Sequence, residues 1–248
     1  MNAKHAFRFE AIGLEDLDQV QLMERTDKKF LVPASMLPGI FQAIELHYFI
    51  LEIDSKRLLE YHTHYFDTTD DQLFHHHHNG KLNRYKVRKR TYVDTQTSFL
   101  EVKQKTNKGK TIKQRLKIKN NHPELSEQEK AFVRQVSPIN PEELLPKSTN
   151  QFHRITLADK QMTERCTIDF NFRVESGQQM ASLDEFAIIE IKQNRFSRMS
   201  PLSKCLQKNR IKPMGFSKYC IGRVLAEEKI KKNTFKPKIR RLTKLIQP

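Results

Sequence analysis

The chain has 248 residues, enough to bury about 70–75% of its unfolded surface in one large domain or two small ones. Only 37% of it is hydrophobic and 30% is charged, with 45 Lys and Arg against 29 Asp and Glu for a net charge of +16. That balance favours a polyphosphorylated ligand, nucleic acid or an anionic membrane surface, and carries no information about fold. With no apolar run of about 18 residues and no hydrophobic core after Met1–His5, neither a membrane helix nor a signal peptide is expected. The expectation is a soluble, cytoplasmic protein. Cys166, Cys205 and Cys220 are widely spaced and form no C-x-x-C, which argues against a disulfide framework and a thiolate metal site. They read as small buried residues.

Residues 7–21 predict a lead-in strand and a short acidic helix. Residues 22–31 alternate, with Arg25, Asp27 and Lys29 on one face and Glu24, Thr26 and Lys28 on the other. Ser35 is placed to cap a helix reaching about Tyr48, with Leu37, Ile40, Phe41 and Ile44 along one side. Residues 57–66 predict a strand that sets Leu59, Tyr61, Thr63 and Tyr65 against His62 and His64. Asp67 and Thr68 then open a short helix ending in His75–His78. Four consecutive histidines spread around a helix, so they read as an exposed polar helix end and not as a metal site.

Residues 82–118 form the basic centre of the chain. Strict alternation marks strands, because successive side chains point to opposite faces. Arg84, Lys86, Arg88, Arg90 and Tyr92 share one face of the first strand. Phe99, Glu101, Lys103 and Lys105 share a face of the second, with Leu100 and Val102 behind. After a turn at Asn107-Lys108-Gly109, Thr111, Lys113, Arg115 and Lys117 oppose Ile112, Leu116 and Ile118. One solvated strand needs no ligand, but like charges facing each other across neighbouring strands are destabilising. A surface kept this way points to an anion.

Ser126-Glu127-Gln128-Glu129 fits a capping box opening a helix to about Val136. Residues 151–158 and 162–172 predict a hairpin whose second strand sets Thr163, Arg165, Thr167 and Asp169 against Cys166, Ile168 and Phe170. Residues 186–192 are a strand with Glu190 and Lys192 opposite Ile189 and Ile191. Ser200-Pro201 starts a helix, and Ser217 starts a last one through Leu225. Residues 229–248 are basic with few apolar side chains and read as a tail, with weak membrane association as one use for it. The expected organisation is a folded unit over 1–228 followed by the tail at 229–248. The fold class expected is α+β: about eight antiparallel strands closed into a tunnel with a basic lumen, helices outside, and no free edge.

Gly109-Lys110-Thr111 is like the end of a P-loop, but Gln104 stands where that pattern needs glycine, and the segment lies in a hairpin turn. Seven glycines are too few for glycine-rich phosphate loops. Any phosphate grip must come from arginine forks and lysine point charges.

The ordered short motifs of this chain resemble the catalytic domain of the vacuolar transporter chaperone (VTC) complex, a polyphosphate polymerase among the triphosphate tunnel metalloenzymes. The resemblance runs from about Phe9 to Leu225. Arg25-Thr26-Asp27-Lys28-Lys29-Phe30 resembles the first strand, with Lys29 as its tunnel lysine, and Tyr65-Phe66-Asp67-Thr68 the YFD strand end. Arg88-Lys89-Arg90-Thr91-Tyr92 resembles the R-x-R-x-Y strand, Glu101-Val102-Lys103 the E-x-K strand, and Lys113 with Arg115 the basic strand after it. Arg154 and Arg165 match two later arginine strands, Glu190 the metal-binding glutamate, and Phe216-Ser217-Lys218-Tyr219 the F-S-K motif at the tunnel mouth. Two departures stand out: Gly215 where the eukaryotic motif has a further lysine, and no SPX domain or membrane anchor in this sequence.

The resemblance implies an ATP–polyphosphate phosphotransferase with Mn²⁺ or Mg²⁺ at Glu190. It implies catalytic Arg88, Arg90, Lys103, Arg154, Arg165 and Lys218. It also implies phosphate or nucleotide contacts from Lys29, Lys86, Tyr92, Lys113, Arg115 and Ser217. Its partners would be ATP, inorganic polyphosphate, and orthophosphate or pyrophosphate. A tunnel triphosphatase would use nearly the same residues with water as acceptor. A non-catalytic polyanion or nucleic-acid binder is the reading from another class. No nucleic acid is expected, because the cations lie on many strands, Trp is absent and no aromatic stacking platform is interleaved with them.

Overall fold

Period-two alternation in this chain becomes an antiparallel sheet in the computed structural model, which describes residues 8–18, 20, 25–119, 122–194 and 199–246. The expected alternation at Leu22, Met23 and Glu24, and Met1–His5, lie outside the described residues. In chain order the elements begin with β1 (Glu10–Ile12), α1 (Leu14–Asp18), β2 (Arg25–Pro33), α2 (Leu37–Ile44), β3 (Tyr48–Leu51), β4 (Leu59–Asp67) and α3 (Gln72–His78). The basic centre follows as β5 (Arg84–Tyr92), β6 (Thr97–Lys105) and β7 (Thr111–Ile118), then α4 (Glu127–Val136). The second half holds β8 (Leu145–Asp159), β9 (Glu164–Ser176), β10 (Gln179–Leu183), β11 (Phe186–Asn194), α5 (Pro201–Lys208), α6 (Lys218–Ala226) and α7 (Lys236–Ile246).

Eight strands form one path in the order β2-β11-β9-β8-β4-β5-β6-β7, with β1, β3 and β10 attached beside it. Every pair along the path is antiparallel. The expected α+β class and antiparallel architecture are what the chain adopts. β2 and β7 end the path, and among the described residues no ladder joins them. The outer edge of β2 is met by the loop before α6, where the Met214 amide donates to the Lys29 carbonyl at 2.7 Å, and by α7. Covering an edge strand in this way removes a template for pairing with other chains.

The outer face of the sheet is apolar and carries helices. Phe30, Val32, Ile168, Phe170, Ile189 and Ile191 are buried with Ile40, Phe41 and Ile44 of α2 and Leu202 and Leu206 of α5. Across the basic strands, Phe66, Val87, Leu100 and Val102 pack with Val133 of α4. Its Ser126–Glu129 capping box forms as read from the sequence. Side chains such as Leu202, fully buried, are each worth about 2–5 kcal/mol against truncation to alanine. Cys166 and Cys220 are buried and Cys205 is half-buried, all free thiols.

Three sequence expectations are corrected. The helix expected from Ser35 to about Tyr48 is shorter. Ala34–Met36 form a 3-10 turn without a side-chain cap, α2 ends at Ile44, and Tyr48 opens β3. Tyr48 pairs with Asp159 in strand register, and its hydroxyl donates to Glu164 at 2.6 Å. The expected open tail folds back: a 3-10 turn at Asn233–Phe235 leads into α7, and Phe235 and Leu242 join the core. Because of that return, the histidines of α3 are not an exposed end. His78 is buried, and His77 stacks on Phe235 at 6.2 Å.

Candidate active site

Strand register puts the cations on one inner face. Arg88 lies opposite Tyr65 and Glu101, and Arg90 opposite Thr63 and Phe99. Lys86, Lys103 and Lys113 stand directly across from one another on β5, β6 and β7. Three like charges in one cross-strand row are unfavourable in an empty sheet. Lys103 shows the effect: the neighbouring Arg88 charge, with burial, pulls its pKa well below the usual lysine value. Burial likewise lowers Lys86, which donates to the Ser217 hydroxyl at 2.9 Å.

Three inner-face carboxylates each hold two of the cations. Glu101, 1% exposed, accepts from Arg88 Nε at 2.6 Å and pairs with Lys113 at 2.5 Å. Asp169 takes Arg154 through both oxygens at 2.5 and 2.8 Å and also pairs with Lys218. Glu190 meets Lys29 at 2.7 Å and Lys192 at 3.9 Å. Burial alone would raise these carboxyl pKa values. Arg88, Arg90 and Lys113 outweigh it at Glu101, and Arg154 with Lys218 do so at Asp169, leaving both below the usual carboxylate range. Lys192 and Lys29 hold Glu190 at about 2. The carboxylates are therefore fixed anions, and Glu101 and Asp169 orient the Arg88 and Arg154 forks, with Arg88 Nη1 also donating to the Tyr65 hydroxyl at 3.2 Å.

Other inner-face cations differ: among the described residues Lys86, Arg90 and Lys103 pair with no carboxylate. Arg90 Nε donates only to Thr63 Oγ1 at 3.2 Å, and the guanidinium lies 5.6 and 5.5 Å from the rings of Tyr61 and Phe152. Burial, with Arg88 beside it, pulls Arg90 down to about 10. Arg154 and Lys218 rest on the same aromatic floor, 4.9 Å from Tyr61 and 4.5 Å from Phe152. Tyr92 belongs to that floor as well, 5.0 Å from Tyr61 and 5.9 Å from Phe99. Its ring packs among these aromatics.

The other expected residues fall around this centre. Arg165 is half-buried on β9, opposite Lys192 and Ala158, on the same strand face as Thr167 and Asp169. Arg115 covers Phe99 at 4.8 Å on β7, whose basic face is exposed. Ser217 caps α6 by accepting from the Cys220 amide, which delivers Lys218 to Asp169 from the first turn. Asp169 was seen in the sequence only as a member of an alternating face. Its spacing from Arg165 and Thr167 was the one signal that marked it. Asp67, the acid of the YFD strand end, accepts the amides of Thr68, Leu73 and Phe74 and a hydrogen bond from the Tyr219 hydroxyl, tying α3 to α6. Arg223 adds a second tie through Asp71 and Glu227. Gly222 lets α6 approach β9 closely, since a Cβ there would stand 3.0 Å from Val174.

No group of three or more His, Cys, Asp or Glu side chains converges among the described residues, so a metal here would rest on one carboxylate and on its ligand. Magnesium-like cations are commonly held that way, by one or two carboxylates, waters and phosphate oxygens. Glu190 fits: it is charged, half-buried, and lies in register with Thr167, whose buried hydroxyl has no hydrogen-bond partner among the described residues. A groove of about 730 Å³ between α2 and α5 lies on the outer face, away from all of these side chains.

The family model described as the VTC domain matches residues 24–227. No curated protein sequence matches the chain. A solved Hippeastrum protein, named for adenylyl cyclase and described as having a dominant triphosphatase activity, is similar at 16% identity and a TM-score of 0.50, covering 82% of this chain and 96% of its own. A Vibrio parahaemolyticus protein assigned to the adenylate cyclases aligns at 10% identity and a TM-score of 0.48, over 79% of this chain and 96% of its own. No helix among the described residues is long and apolar enough to cross a membrane. With its family match spanning most of the chain, this protein belongs to the VTC domain family.

Proposed function

We propose that the protein is a polyphosphate polymerase, transferring the γ-phosphoryl group of ATP to the end of an inorganic polyphosphate chain lying on the inner face. One observation carries the reading. Arginines clamped by buried carboxylates stand among cations, Lys86, Arg90 and Lys103, that pair with no carboxylate among the described residues. A chain of phosphates supplies the missing negative charge.

The roles follow from position. Arg88, Arg90 and Arg154 offer guanidinium charge to the ATP phosphates. Lys103, Lys86 and Lys218 add point charges, and Arg165, Lys29, Lys113 and Arg115 extend the basic path. These groups are preorganised before substrate arrives, so charge developing on the transferred group is stabilised without rearrangement. The terminal phosphate oxygen of the acceptor attacks the γ-phosphorus, and the bond from phosphorus to the β–γ bridging oxygen breaks to release ADP. The attacking oxygen is already anionic, so no general base is required. Mn²⁺ or Mg²⁺ bound through Glu190 would supply further charge neutralisation on the phosphate oxygens.

Glu190→Gln is expected to abolish metal-dependent turnover while the melting temperature stays within a few degrees of the parent. Turnover measured across a metal titration checks this, and parental activity in the variant would remove Glu190 from the mechanism. Tripolyphosphate at about 100 times its Kd should add about 2.7 kcal/mol to stability, because it relieves repulsion in the folded state only. Thermal denaturation reads this directly, and no shift at saturation would contradict a phosphate site on the inner face. With water as acceptor the same site would be a triphosphatase, the activity named for the Hippeastrum protein.

A further inference from the structure

The C-terminal helix lies beyond the span matched to the family, residues 24–227, yet it reaches the basic face. Its docking is apolar: Phe235 is 3% exposed and lies 6.0 Å from Phe74 and 5.6 Å from His78, while Leu242 is buried in the same core. The Thr234 hydroxyl donates to the His78 carbonyl at 3.1 Å. This fixes the start of α7 and sets Lys238 beside the loop before α6. Lys238 Nζ lies 3.7 Å from where a Cβ on Gly215 would stand, two residues before Ser217.

The charges that act most on His77 are all of one sign. Burial, with the charges of Lys86, Arg84 and Lys238, holds His77 neutral, its pKa down to about 2. Its Nδ1 accepts from Arg84 Nε at 3.3 Å, so its other ring nitrogen carries the proton and is a donor. Lys86 reaches Ser217 at 2.9 Å. Among the described residues Lys238 pairs with no carboxylate. Lys238 Nζ lies 5.8 Å from the Phe235 ring, while Phe235 and Leu242 seat the helix.

We infer that α7 is part of the phosphate path: Lys238, with Arg84, Lys86 and His77, forms a subsite for phosphates of a linear polyphosphate beyond those held by Arg88, Arg90 and Arg154. The inference rests on the inner face being the phosphate-chain site. It makes the C-terminal helix a determinant of chain length, since a short ligand held at the centre does not reach Lys238.

Calorimetric titration of Lys238→Gln with tripolyphosphate and with long-chain polyphosphate tests it. The long chain should bind about fivefold more weakly than to the parent, with tripolyphosphate affinity unchanged. Phe235→Ala, which loosens the helix, should give the same length-selective loss. Equal weakening of both ligands, or of neither, would overturn the subsite while leaving the central site standing. Failure of the parent protein to bind either ligand would remove the central site, and the subsite with it.

Discussion

Glu101→Gln is expected to destabilise the protein by about 3–5 kcal/mol, the cost of leaving buried cations without their partner. Glu101 is 1% exposed and holds Arg88 and Lys113 at once, so a neutral amide there strands Arg88 beside Arg90. Denaturant unfolding at neutral pH measures the deficit. Its pH dependence is fixed by sign. The carboxyl is held below its unfolded value, so its contribution is full above about pH 4.3 and is lost as pH falls toward the folded value. The gap between parent and variant should therefore narrow in acid. A deficit below about 1 kcal/mol, or one that does not change toward acid, would mean that Glu101 is not the keystone of the basic strands.

Arg90→Gln should do the reverse, costing activity and sparing the fold. The substitution removes a buried charge that has no carboxylate partner and whose pKa is already pulled down to about 10. It keeps a polar group beside Thr63. Losing one preorganised donor to a developing phosphoryl charge lowers kcat by about 10²–10³-fold, while stability without ligand stays within about 1 kcal/mol of the parent. The thermal shift caused by tripolyphosphate should shrink in step. Parental kcat, or destabilisation as large as that of Glu101→Gln, would show that Arg90 is a structural residue.

The contrast between these two residues shows what the sequence made legible. Alternation identified the inner face of β5 and β6 residue by residue, because a two-residue period leaves no choice once one face is apolar. It put Arg88 with Arg90 and Glu101 with Lys103 on shared strand faces. Partnership was not legible, because it depends on register between strands far apart in sequence. Nothing local says that Asp169 holds Arg154 and Lys218, or that Asp67 anchors Tyr219 from 152 residues away.

The ends of the chain's regular elements were misread for a related reason. Tyr48 looks like a continuation of an apolar helix face until β8 is present to pair with β3. Phe235, Ile239, Leu242 and Ile246 recur at helical spacing inside a strongly basic segment, and the charge around them hid that stripe. Phe235 and Leu242 are enough to dock the helix when His77, His78 and Phe74 already offer a surface.

Incubating the purified protein with ATP and Mn²⁺ and resolving the products on a gel stained for polyphosphate tests the central claim most directly. The account predicts a ladder of long phosphate chains with ADP accumulating in proportion. Orthophosphate or pyrophosphate alone would contradict the polymerase and leave a phosphohydrolase on the same inner face, and no turnover at all would leave a polyanion-binding protein.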